Sequence, residues 1–326
     1  MPFPIQRHRR LRNNHLLLDL VAETQISIHD FITPLFVMDG KNLTEEISSM
    51  PGYYRYSLDL LIERINVLYQ KGLRCYLLFG KIDPTNKDND GTAALNKNGI
   101  IPKSIKAIKD KFPDCVLMAD AALDPFSSYG HDGIVADGKI VNDATNNVLS
   151  RVGVLYANCG ADFIAPSDMM DGRILAIRSA LDEEDFKDVG IMSYSAKYAS
   201  CFYGPFRDAL DSAPGMGDKT SYQMDPRNSK EAVKEILSDV EEGADILMVK
   251  PALAYLDVIA KVSVNTNLPI AAYQVSGEYS MIKAAAMQGW LNENDAIKET
   301  IIAIKRAGSS LIASYFSEQA LDLFQL

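Results

Sequence analysis

Short runs of apolar residues alternate with stretches of helical periodicity along most of the chain. Eight runs are rich in β-branched or aromatic residues, and they cover residues 32–38, 75–79, 115–118, 163–165, 189–194, 246–249, 270–275 and 311–316. Continuous apolar character over so few residues favours strands that are buried on both faces, as in a parallel sheet. The pattern therefore predicts eight buried strands.

Between these runs, apolar residues recur at the spacing of an amphipathic helix. Residues 58–68 show this spacing behind Ser57, a residue type that often caps helices. A second helix is predicted behind Asn228, with Glu231 at the capping-box position and an apolar face that includes Leu237. Further helices are predicted near residues 103–112, 143–158, 172–181, 254–265, 280–289 and 293–307. Eight strands that alternate with helices predict an α/β fold, the (β/α)₈ TIM barrel, although alternation alone also permits a doubly wound open sheet.

Three segments fall outside this alternation. Residues 1–25 precede the first strand and are predicted to form an N-terminal arm, which leaves residues 26–326 for the barrel domain. Residues 81–99 form a long polar connection, and residues 201–228, after the fifth strand, are rich in Gly, Pro, Asp and Arg. Connections of this length usually serve as lids or binding loops, so we expect residues 201–228 to cover a site at the end of the barrel.

The composition narrows the class of protein. The 326 residues carry 33 basic and 43 acidic side chains, a formal charge of −10. This balance argues against broad binding of nucleic acids or of anionic membranes, because both need a positive face. No apolar run approaches the roughly 18 residues of a spanning helix, and the N-terminus lacks the features of a secretory signal. The four cysteines form no C-x-x-C pair, which favours reduced thiols in a soluble, cytoplasmic protein.

Two of the predicted strands end in lysine, at Lys197 and Lys250. Two-residue alternation places Ser193, Ser195 and Lys197 on one face of the fifth strand, and Lys250 ends an apolar column of the sixth. A buried lysine has a lowered pKa, and a second ammonium group nearby lowers it further. The neutral amine can attack a carbonyl carbon and form a Schiff base. The alternative is that each lysine extends from its strand end into solvent.

A cluster of acidic residues follows the third strand. Residues 119–133 bring together Asp120, Asp124 and Asp132, with Tyr129 between the last two. Oxygen ligands without cysteine suit a hard cation such as Mg²⁺. The alternative is a polar turn whose aspartates cap backbone amides. Asp120 and Tyr129 are also candidates for proton transfer.

Other polar residues occupy positions where a barrel presents a site. Arg207 and Lys219 lie in the predicted lid and are suited to hold a carboxylate. Ser276 follows the seventh strand, and Tyr315 ends the eighth. Taken one at a time, such residues are more often structural than functional. Glu235 belongs to an acidic stripe of its helix, and on this pattern alone it is predicted to face solvent.

Four long segments resemble a known family. They read SYSAKYASCFYGPFRDAL, GDKTSYQMDPRNSKEA, ADILMVKPALAYLDVI and YQVSGEYSMIKAA, and shorter matches extend from RHRRLRNN near the start to ASYF near the end. These segments closely resemble porphobilinogen synthase, also called 5-aminolevulinate dehydratase. The resemblance implies a (β/α)₈ barrel with an N-terminal arm, commonly a homo-octamer. It also implies a lyase that joins two molecules of 5-aminolevulinate into porphobilinogen with loss of water, in the biosynthesis of tetrapyrroles such as heme and chlorophyll.

The same resemblance assigns roles to the two lysines. Lys250 is implied to form a Schiff base with the substrate that supplies the propionate side, and Lys197 with the substrate that supplies the acetate side. The chemistry gives a reason for two lysines. Two identical amino ketones must meet in different orientations, so each needs its own activation and its own carboxylate anchor.

Four residues are implied to hold the substrate carboxylates. Arg207 and Lys219 are implied to hold the carboxylate of the acetate side, and Ser276 and Tyr315 that of the propionate side. Position 219 is lysine where the family often has arginine. This keeps the charge but loses the bidentate geometry of a guanidinium group.

The resemblance also separates two kinds of metal dependence. Zinc-dependent members carry three cysteines after the third strand, whereas this chain has Ala122, Asp124 and Asp132, so no catalytic zinc is expected. The chain is similar to the aspartate-rich, magnesium-responsive branch, in which the glutamate matching Glu235 holds a hydrated, allosteric Mg²⁺ near a subunit interface. This reverses the solvent-facing interpretation of Glu235. Whether Asp124 and Asp132 bind an active-site Mg²⁺, or act only through hydrogen bonds and charge, stays open.

Two other functions remain as alternatives. A class I aldolase is a barrel with one imine-forming lysine, and it needs neither a second lysine nor a second carboxylate anchor. A non-catalytic barrel would bind an anionic metabolite without capturing it covalently.

Overall fold

A closed barrel of eight parallel strands forms the centre of the molecule. The computed structural model describes residues 5–213, 215 and 217–326. The barrel strands are β1 (Phe31–Met38), β2 (Cys75–Lys81), β3 (Val116–Ala121), β4 (Phe163–Pro166), β5 (Gly190–Lys197), β6 (Ile246–Lys250), β7 (Ile270–Gln274) and β8 (Leu311–Ser314). Each pairs with the next along the chain, and β8 pairs with β1. This closure confirms the predicted (β/α)₈ TIM barrel and excludes an open sheet, which would leave both edge strands unpaired.

Helices cover the outside of the barrel. They are α1 (Leu58–Gln70), α2 (Ile100–Lys111), α3 (Asn142–Asn158), α4 (Arg173–Glu183), α5 (Lys230–Glu241), α6 (Leu256–Ser263), α7 (Ser276–Met287), α8 (Glu293–Arg306) and α9 (Ser317–Phe324). Shorter elements are the 3₁₀ segments His8–Arg12, Ile28–Asp30, Pro84–Asn86, Thr92–Leu95, Cys201–Tyr203 and Leu253–Tyr255, and the paired strands Thr44–Glu46 with Tyr54–Ser57 and Val135–Ala136 with Lys139–Ile140. The predicted helices are present, with ends shifted by a few residues. Among the described residues, none of the helices combines the length and the apolar character that a bilayer crossing requires.

Two apolar layers hold this architecture together. The strands are buried on both faces, as in β1, where all eight residues are buried. Each helix presents an apolar stripe to the strands, which in α2 includes Ile101, Ile105 and Ile108. Burying one side chain of this size contributes about 1.5–3 kcal/mol, so the apolar pattern determines which way each element faces.

An irregularity in β5 changes which of its side chains face the barrel interior. The pairing of β5 with β6 shifts in register between Leu247 and Val249, where β5 has one extra residue. The prediction that Ser193, Ser195 and Lys197 share one face is therefore wrong. The Ser193 hydroxyl hydrogen-bonds to side chains of α4 and α5 in the outer layer, whereas Lys197 faces the end of the barrel.

The buried face of helix α5 is rotated relative to the predicted one, although the predicted Ile236 belongs to both. Its buried residues are Ala232, Ile236 and Asp239, whereas Leu237 is 44% exposed. The Asp239 carboxylate pairs with the buried guanidinium group of Arg173 in α4, at 3.3 Å. Because a charged residue occupies part of the buried stripe, hydrophobic periodicity places the stripe incorrectly.

The predicted caps of α1 and α5 also differ from the observed ones. Helix α5 begins at Lys230, and Asn228 donates from Nδ2 to the Glu231 carboxylate instead of capping the backbone. Ser57 does precede α1, but its hydroxyl accepts a hydrogen bond from the backbone N–H of Leu43 rather than from the first helical turn. Neither side chain therefore accepts a capping hydrogen bond from its helix.

Two segments lie outside the barrel at the predicted positions of the arm and the lid. In the arm, the helix His15–Leu20 (the arm helix) follows His8–Arg12, and neither has a buried residue. Residues 1–4 of the predicted arm lie outside the described residues. In residues 201–228, Gly204–Leu210 forms a short helix (the lid helix), whose Phe206 N–H donates to the Ser276 hydroxyl after β7. The segment therefore contacts the carboxyl end of the barrel, as a lid requires; positions 214 and 216 are not described.

Candidate active site

Lys197 and Lys250 end neighbouring strands and are paired in register across β5 and β6. Their residues are only 5% and 4% exposed. The ring centroid of Tyr194 lies 5.9 Å from the Nζ atom of Lys197 and 5.0 Å from that of Lys250. The two amines therefore share one buried chamber at the carboxyl end of the barrel, where barrel enzymes hold their active sites.

Aromatic rings surround the amine of Lys250. Its Nζ atom lies 5.3 Å from the ring centroid of Tyr203, 4.8 Å from that of Phe206 and 4.5 Å from that of Tyr273. Burial lowers the pKa of Lys250 to about 7, and the ammonium group of Lys197 adds to this shift. A substantial fraction of Lys250 is therefore neutral near pH 7, as an attacking amine must be.

Lys197 contacts oxygen atoms as well as the shared ring. Its Nζ atom donates to the backbone carbonyl of Ser167 after β4, and it lies 3.7 Å from Oδ2 of Asp132. Lys197 therefore has a carbonyl and a carboxylate as its polar partners. The two amines thus have different surroundings, which allows two identical ligands to be treated differently in one chamber.

The aspartates after β3 pair with lysines. The Nζ atom of Lys219 lies 3.5 Å from Oδ2 of Asp124 and 3.2 Å from Oδ1 of Asp132. Burial alone would raise the pKa of Asp132, but the ammonium groups of Lys197 and Lys219 lower it to about 2. Burial raises the pKa of Asp124, and Lys219 opposes this shift. The structure therefore brings the predicted aspartates together and neutralises their charge with lysines from β5 and the lid.

Asp120 and Tyr129, the two candidates for proton transfer, lie in different environments. Asp120 is buried, and its Oδ1 atom has no hydrogen-bond partner among the described residues. Burial raises the pKa of Asp120 to about 7, and the carboxylate of Asp124 adds to the shift. Tyr129 is 40% exposed. Asp120 is therefore the better placed of the two to exchange a proton inside the chamber.

Ser276 and Tyr315 lie on the Lys250 side of the chamber. The Tyr315 hydroxyl is 2.9 Å from the hydroxyl of Tyr273, whose ring faces the Lys250 amine. The Ser276 hydroxyl accepts the N–H of Phe206 at 2.9 Å, and the ring of Phe206 also faces that amine. Each hydroxyl is therefore linked to Lys250 through one intervening side chain or residue, Tyr315 through Tyr273 and Ser276 through Phe206.

The two basic candidates lie in the lid. Lys219 is buried on the Lys197 side, because Asp132 contacts both lysines. Arg207 is half-buried on the lid helix. The four carboxylate-binding candidates therefore do not cluster together: the hydroxyls accompany one catalytic candidate and buried Lys219 accompanies the other.

Cationic side chains hold the C-terminal end of the lid helix. The Nη1 atom of Arg55 donates to the backbone carbonyls of Asp208 at 2.9 Å and Ala209 at 2.8 Å. The Nζ atom of Lys87 donates to the backbone carbonyl of Asp211 at 2.7 Å. Cations at this end of a helix also interact favourably with its dipole. These contacts fix the helix that carries the half-buried arginine candidate.

Comparison with known proteins decides the family. The family model described as delta-aminolevulinic acid dehydratase matches residues 5–323. The delta-aminolevulinic acid dehydratase of Methanothermus sociabilis is 51% identical over 322 residues, 99% of this chain and 99% of the relative. That of Halalkalibacterium halodurans is 49% identical over 313 residues, 96% of this chain and 95% of the relative. The chain belongs to the delta-aminolevulinic acid dehydratase family.

Solved structures agree with this membership. The crystal structure of delta-aminolevulinic acid dehydratase (porphobilinogen synthase) from Toxoplasma gondii, in complex with the reaction product porphobilinogen, matches with a TM-score of 0.96 at 47% identity, covering 98% of this chain and 92% of that chain. A dihydropteroate synthase of Xanthomonas albilineans with 4-aminobenzoic acid matches with a TM-score of 0.51 at 9% identity, covering 92% and 93%. The likeness to the dihydropteroate synthase shows the barrel fold alone. The family assignment rests on the family model and on the dehydratase relatives, and it confirms the family resemblance seen in the sequence motifs.

In this dehydratase-family chain, Glu235 lies in a separate cavity. The cavity has a volume of about 790 Å³, and its lining includes Glu231, Asp171 and Glu235 but neither strand-end lysine. Glu235 is half-buried. Burial raises its pKa, the guanidinium group of Arg173 opposes this shift, and the neighbouring carboxylates add to it. A cation in this cavity would therefore find two half-buried carboxylates, those of Glu231 and Glu235, in an acidic setting. In the described ranges, no group of three or more His, Cys, Asp or Glu side chains is arranged to hold a metal ion.

The residues that sequence reasoning missed in this dehydratase-family site are aromatic. Tyr194, Tyr203, Phe206 and Tyr273 form the walls around Lys250. Each lies in or beside a family-like segment, which was a usable signal. Two-residue alternation could not find Tyr194, because the extra residue in β5 turns the tyrosine and the lysine toward the same chamber.

Proposed function

We propose that the protein condenses two molecules of 5-aminolevulinate into porphobilinogen with loss of water, in the biosynthesis of tetrapyrroles such as heme and chlorophyll. Membership of the delta-aminolevulinic acid dehydratase family supports this lyase activity. The observation that carries the proposal is the burial of Lys197 and Lys250 in one chamber. A class I aldolase needs only one such lysine, and a non-catalytic barrel needs neither.

Lys250 is proposed to capture the substrate that supplies the propionate side. Its neutral amine attacks the ketone carbon, and the adduct loses water to give a protonated imine. The positive nitrogen acidifies the neighbouring C–H bond, so a carbon nucleophile can form there. The aromatic rings at 4.5–5.3 Å support this role, because they limit access of water and keep the amine neutral.

Lys197 is proposed to form the second Schiff base, with the substrate that supplies the acetate side. Its polar contacts are the Asp132 carboxylate and the Ser167 carbonyl. An ammonium group cannot attack a ketone, so the proton of that form must first pass to a base. Asp120 is suited to exchange that proton, because burial raises its pKa to about 7 and its Oδ1 atom has no other partner among the described residues. Exchange of the imine with the amino group of the other substrate would then release the enzyme lysine.

Separate anchors are proposed for the two substrate carboxylates. Ser276 and Tyr315 are proposed to hydrogen-bond the propionate-side carboxylate, and their position on the Lys250 side supports this. Arg207 and Lys219 are proposed to hold the acetate-side carboxylate, and the burial of Lys219 on the Lys197 side supports this. Fixing each substrate at both ends removes much of the entropic cost of joining two molecules.

Asp124 and Asp132 are proposed to act through charge and hydrogen bonds rather than as ligands of an active-site Mg²⁺. Both carboxylates face Lys219, and Asp132 also faces Lys197, so a further cation would compete with buried ammonium groups. The same segment has Ala122 and no thiolate, which argues against catalytic zinc. The Lys219 ion pairs therefore support the metal-free interpretation of this cluster.

Glu235 is proposed to hold a hydrated, allosteric Mg²⁺ away from the chamber. Mg²⁺ retains several waters and needs only one or two protein carboxylates, so a single half-buried glutamate in an acidic cavity is a suitable ligand. Bound there, the ion would supply positive charge beside α5 and would take no part in the chemistry of the lysines.

The protein is further proposed to be a cytoplasmic homo-oligomer, an octamer as is common in the family. The arm helix exposes Leu16 and Leu20, which are 81% and 78% exposed, and apolar side chains in such a position favour contact with another chain. The cysteines are free, which suits a reducing compartment. Sedimentation of the full chain should give an octamer, and removal of residues 1–25 should give a smaller species; a monomeric full chain would contradict the proposal.

Borohydride reduction in the presence of labelled 5-aminolevulinate, followed by peptide mapping, tests the activity and separates it from its rivals. We expect label on Lys250, and we expect Lys197→Ala to abolish pyrrole formation while Lys250 can still be labelled. A wild-type protein without label at either lysine would support the non-catalytic barrel. Full pyrrole formation by Lys197→Ala would show that a second imine is not required.

A further inference from the structure

The carboxylate of Glu278 is buried completely in the first turn of α7, close to the active chamber. Its partners are backbone groups rather than a cation: Oε1 accepts the N–H of Leu253 at 2.7 Å, and Oε2 accepts the N–H of Val275 at 2.8 Å. Burial raises the pKa of Glu278 to about 7, and the surrounding backbone N–H groups oppose this shift. The bond to Val275 is a capping-box contact, in which the third helical residue accepts the N–H of the N-cap. The bond to Leu253 joins a different loop, and a helix cap does not account for it.

The two hydrogen bonds join the loops that carry two functional candidates. Leu253 lies three residues after Lys250, in the loop that follows β6, and Val275 immediately precedes Ser276, after β7. One rigid carboxylate thus spans the ends of two neighbouring strands. It therefore links the Lys250 loop to the Ser276 loop.

The lid rests on Ser276 and Gly277, the two residues of α7 that precede Glu278. The Ser276 hydroxyl accepts the N–H of Phe206 and contacts the carbonyl of Phe202. A Cβ atom at Gly277 would lie 2.5 Å from the carbonyl oxygen of Phe202, so only glycine allows the lid backbone to pack this closely. Residues 276–278 therefore connect the β6 loop, the β7 loop and the lid.

We propose that Glu278 is a positioning residue that sets the distance between the Schiff-base amine of Lys250 and the carboxylate-binding hydroxyl of Ser276. A substrate held by its carboxylate at one end and attacked at its ketone must match that distance. Glu278 never touches the substrate; it acts through the two loops that it joins. This inference rests on the roles proposed above for Lys250 and Ser276.

Trapping of two ketones at Lys250 tests the role of Glu278. The first is 5-aminolevulinate, and the second is 1-aminobutan-2-one, which keeps the amino ketone but lacks the carboxylate. Rates of cyanoborohydride trapping are measured for the wild type, for Glu278→Gln, which places an amide donor against one N–H group, and for Glu278→Asp, which shortens the span. Asp30→Asn is the control at the opposite end of the barrel, because Asp30 is also a buried carboxylate that accepts a backbone N–H, with Lys305 as a further partner.

The quantity to compare between variants is the trapping rate of 5-aminolevulinate divided by that of 1-aminobutan-2-one. We expect the preference of the wild type for 5-aminolevulinate to fall by about tenfold or more in both Glu278 variants, since a small misplacement of reacting groups has effects of this size. Asp30→Asn should keep the wild-type ratio. Should Glu278→Gln fail to fold, Glu278→Asp decides alone.

Two contrary outcomes are distinguishable. Equal loss of both rates, with an unchanged ratio, would mean that Glu278 only stabilises the fold, and it would overturn the inference while leaving the proposed function intact. Absence of trapping at Lys250 in the wild type would overturn the proposed function itself, and the positioning role with it.

Discussion

Lys197 and Lys250 occupy directly paired positions at the ends of two parallel strands, and the ring of Tyr194 lies within 6 Å of both amines. Equal register brings both side chains to the same depth of the barrel. The Asp132 carboxylate lies 3.7 Å from the first amine, whereas burial lowers the pKa of the second. The ammonium group of Lys197 therefore adds to the lowering of the Lys250 pKa.

The lowered pKa of Lys250, and the effect of Lys197 on it, predict the pH dependence of imine formation at Lys250. The amine must be neutral to attack, so trapping of 5-aminolevulinate should fall by about tenfold per pH unit below the lowered pKa of Lys250, about 7. Lys197→Met removes the nearby ammonium group, so the pKa of Lys250 should rise and the curve should move to higher pH. Cyanoborohydride trapping followed across pH measures both midpoints.

A surface lysine provides the control for this experiment. Lys261 hydrogen-bonds to Ser229 outside the chamber, so Lys261→Met should leave the midpoint where the wild type has it. Identical midpoints in the wild type and in Lys197→Met would contradict electrostatic coupling between the two amines.

The sequence predicted the barrel and most of the site because both depend on local patterns. Eight apolar runs became the eight strands, and Lys197 and Lys250 fell at strand ends, where a barrel directs its functional side chains. The family-like segments added the hydroxyl and lid candidates, which periodicity alone does not mark. The proposed roles of these residues stay predictions until they are tested.

What the sequence did not predict depends on contacts between distant segments. The extra residue in β5 is visible only in its pairing with β6, so strict alternation misplaced Ser193. The buried ion pair of Asp239 with Arg173 joins two helices, so hydrophobic periodicity misplaced the stripe of α5. The link from Glu278 to Leu253 likewise spans 25 residues of sequence. Each of these features needs three-dimensional contacts that no local pattern records.

Lys219→Met should destabilise the folded protein by about 3–5 kcal/mol at neutral pH, because it leaves buried Asp124 without its cation and leaves Asp132 with Lys197 alone. The effect should shrink at acid pH. The lowered pKa of Asp132 contributes stability above its unfolded value of 3.8, and the wild type loses this contribution as the pH falls toward about 2. Urea denaturation at several pH values measures the difference.

Lys219→Arg is the matched variant for charge. It keeps a cation beside Asp124 and Asp132, so most of the stability should be retained. If Lys219→Met proved as stable as the wild type at pH 7, the ion pairs would not be holding the lid segment against the aspartates.

Arg55→Ala should loosen the lid helix, because it removes two hydrogen bonds to the carbonyls of Asp208 and Ala209. We expect KM for 5-aminolevulinate to rise by about tenfold, the equivalent of one hydrogen bond to a charged group, and kcat to change less. Limited proteolysis should also cut residues 201–228 faster. Arg178→Ala is the control, since Arg178 bonds two carbonyls and Asp182 away from the lid; equal effects of both variants would contradict a specific role for Arg55.

Glu235→Gln should abolish the response to Mg²⁺. The substitution removes the charge of the one glutamate proposed to hold the hydrated ion, so turnover with and without Mg²⁺ should differ by less than about twofold, and calorimetric titration should detect no Mg²⁺ at this cavity. Glu241→Gln changes an exposed carboxylate of the same helix, and it should keep both the stimulation and the binding. If Glu235→Gln bound Mg²⁺ and responded to it as the wild type does, the ion would have to act elsewhere, and the acidic cavity beside α5 would need another explanation.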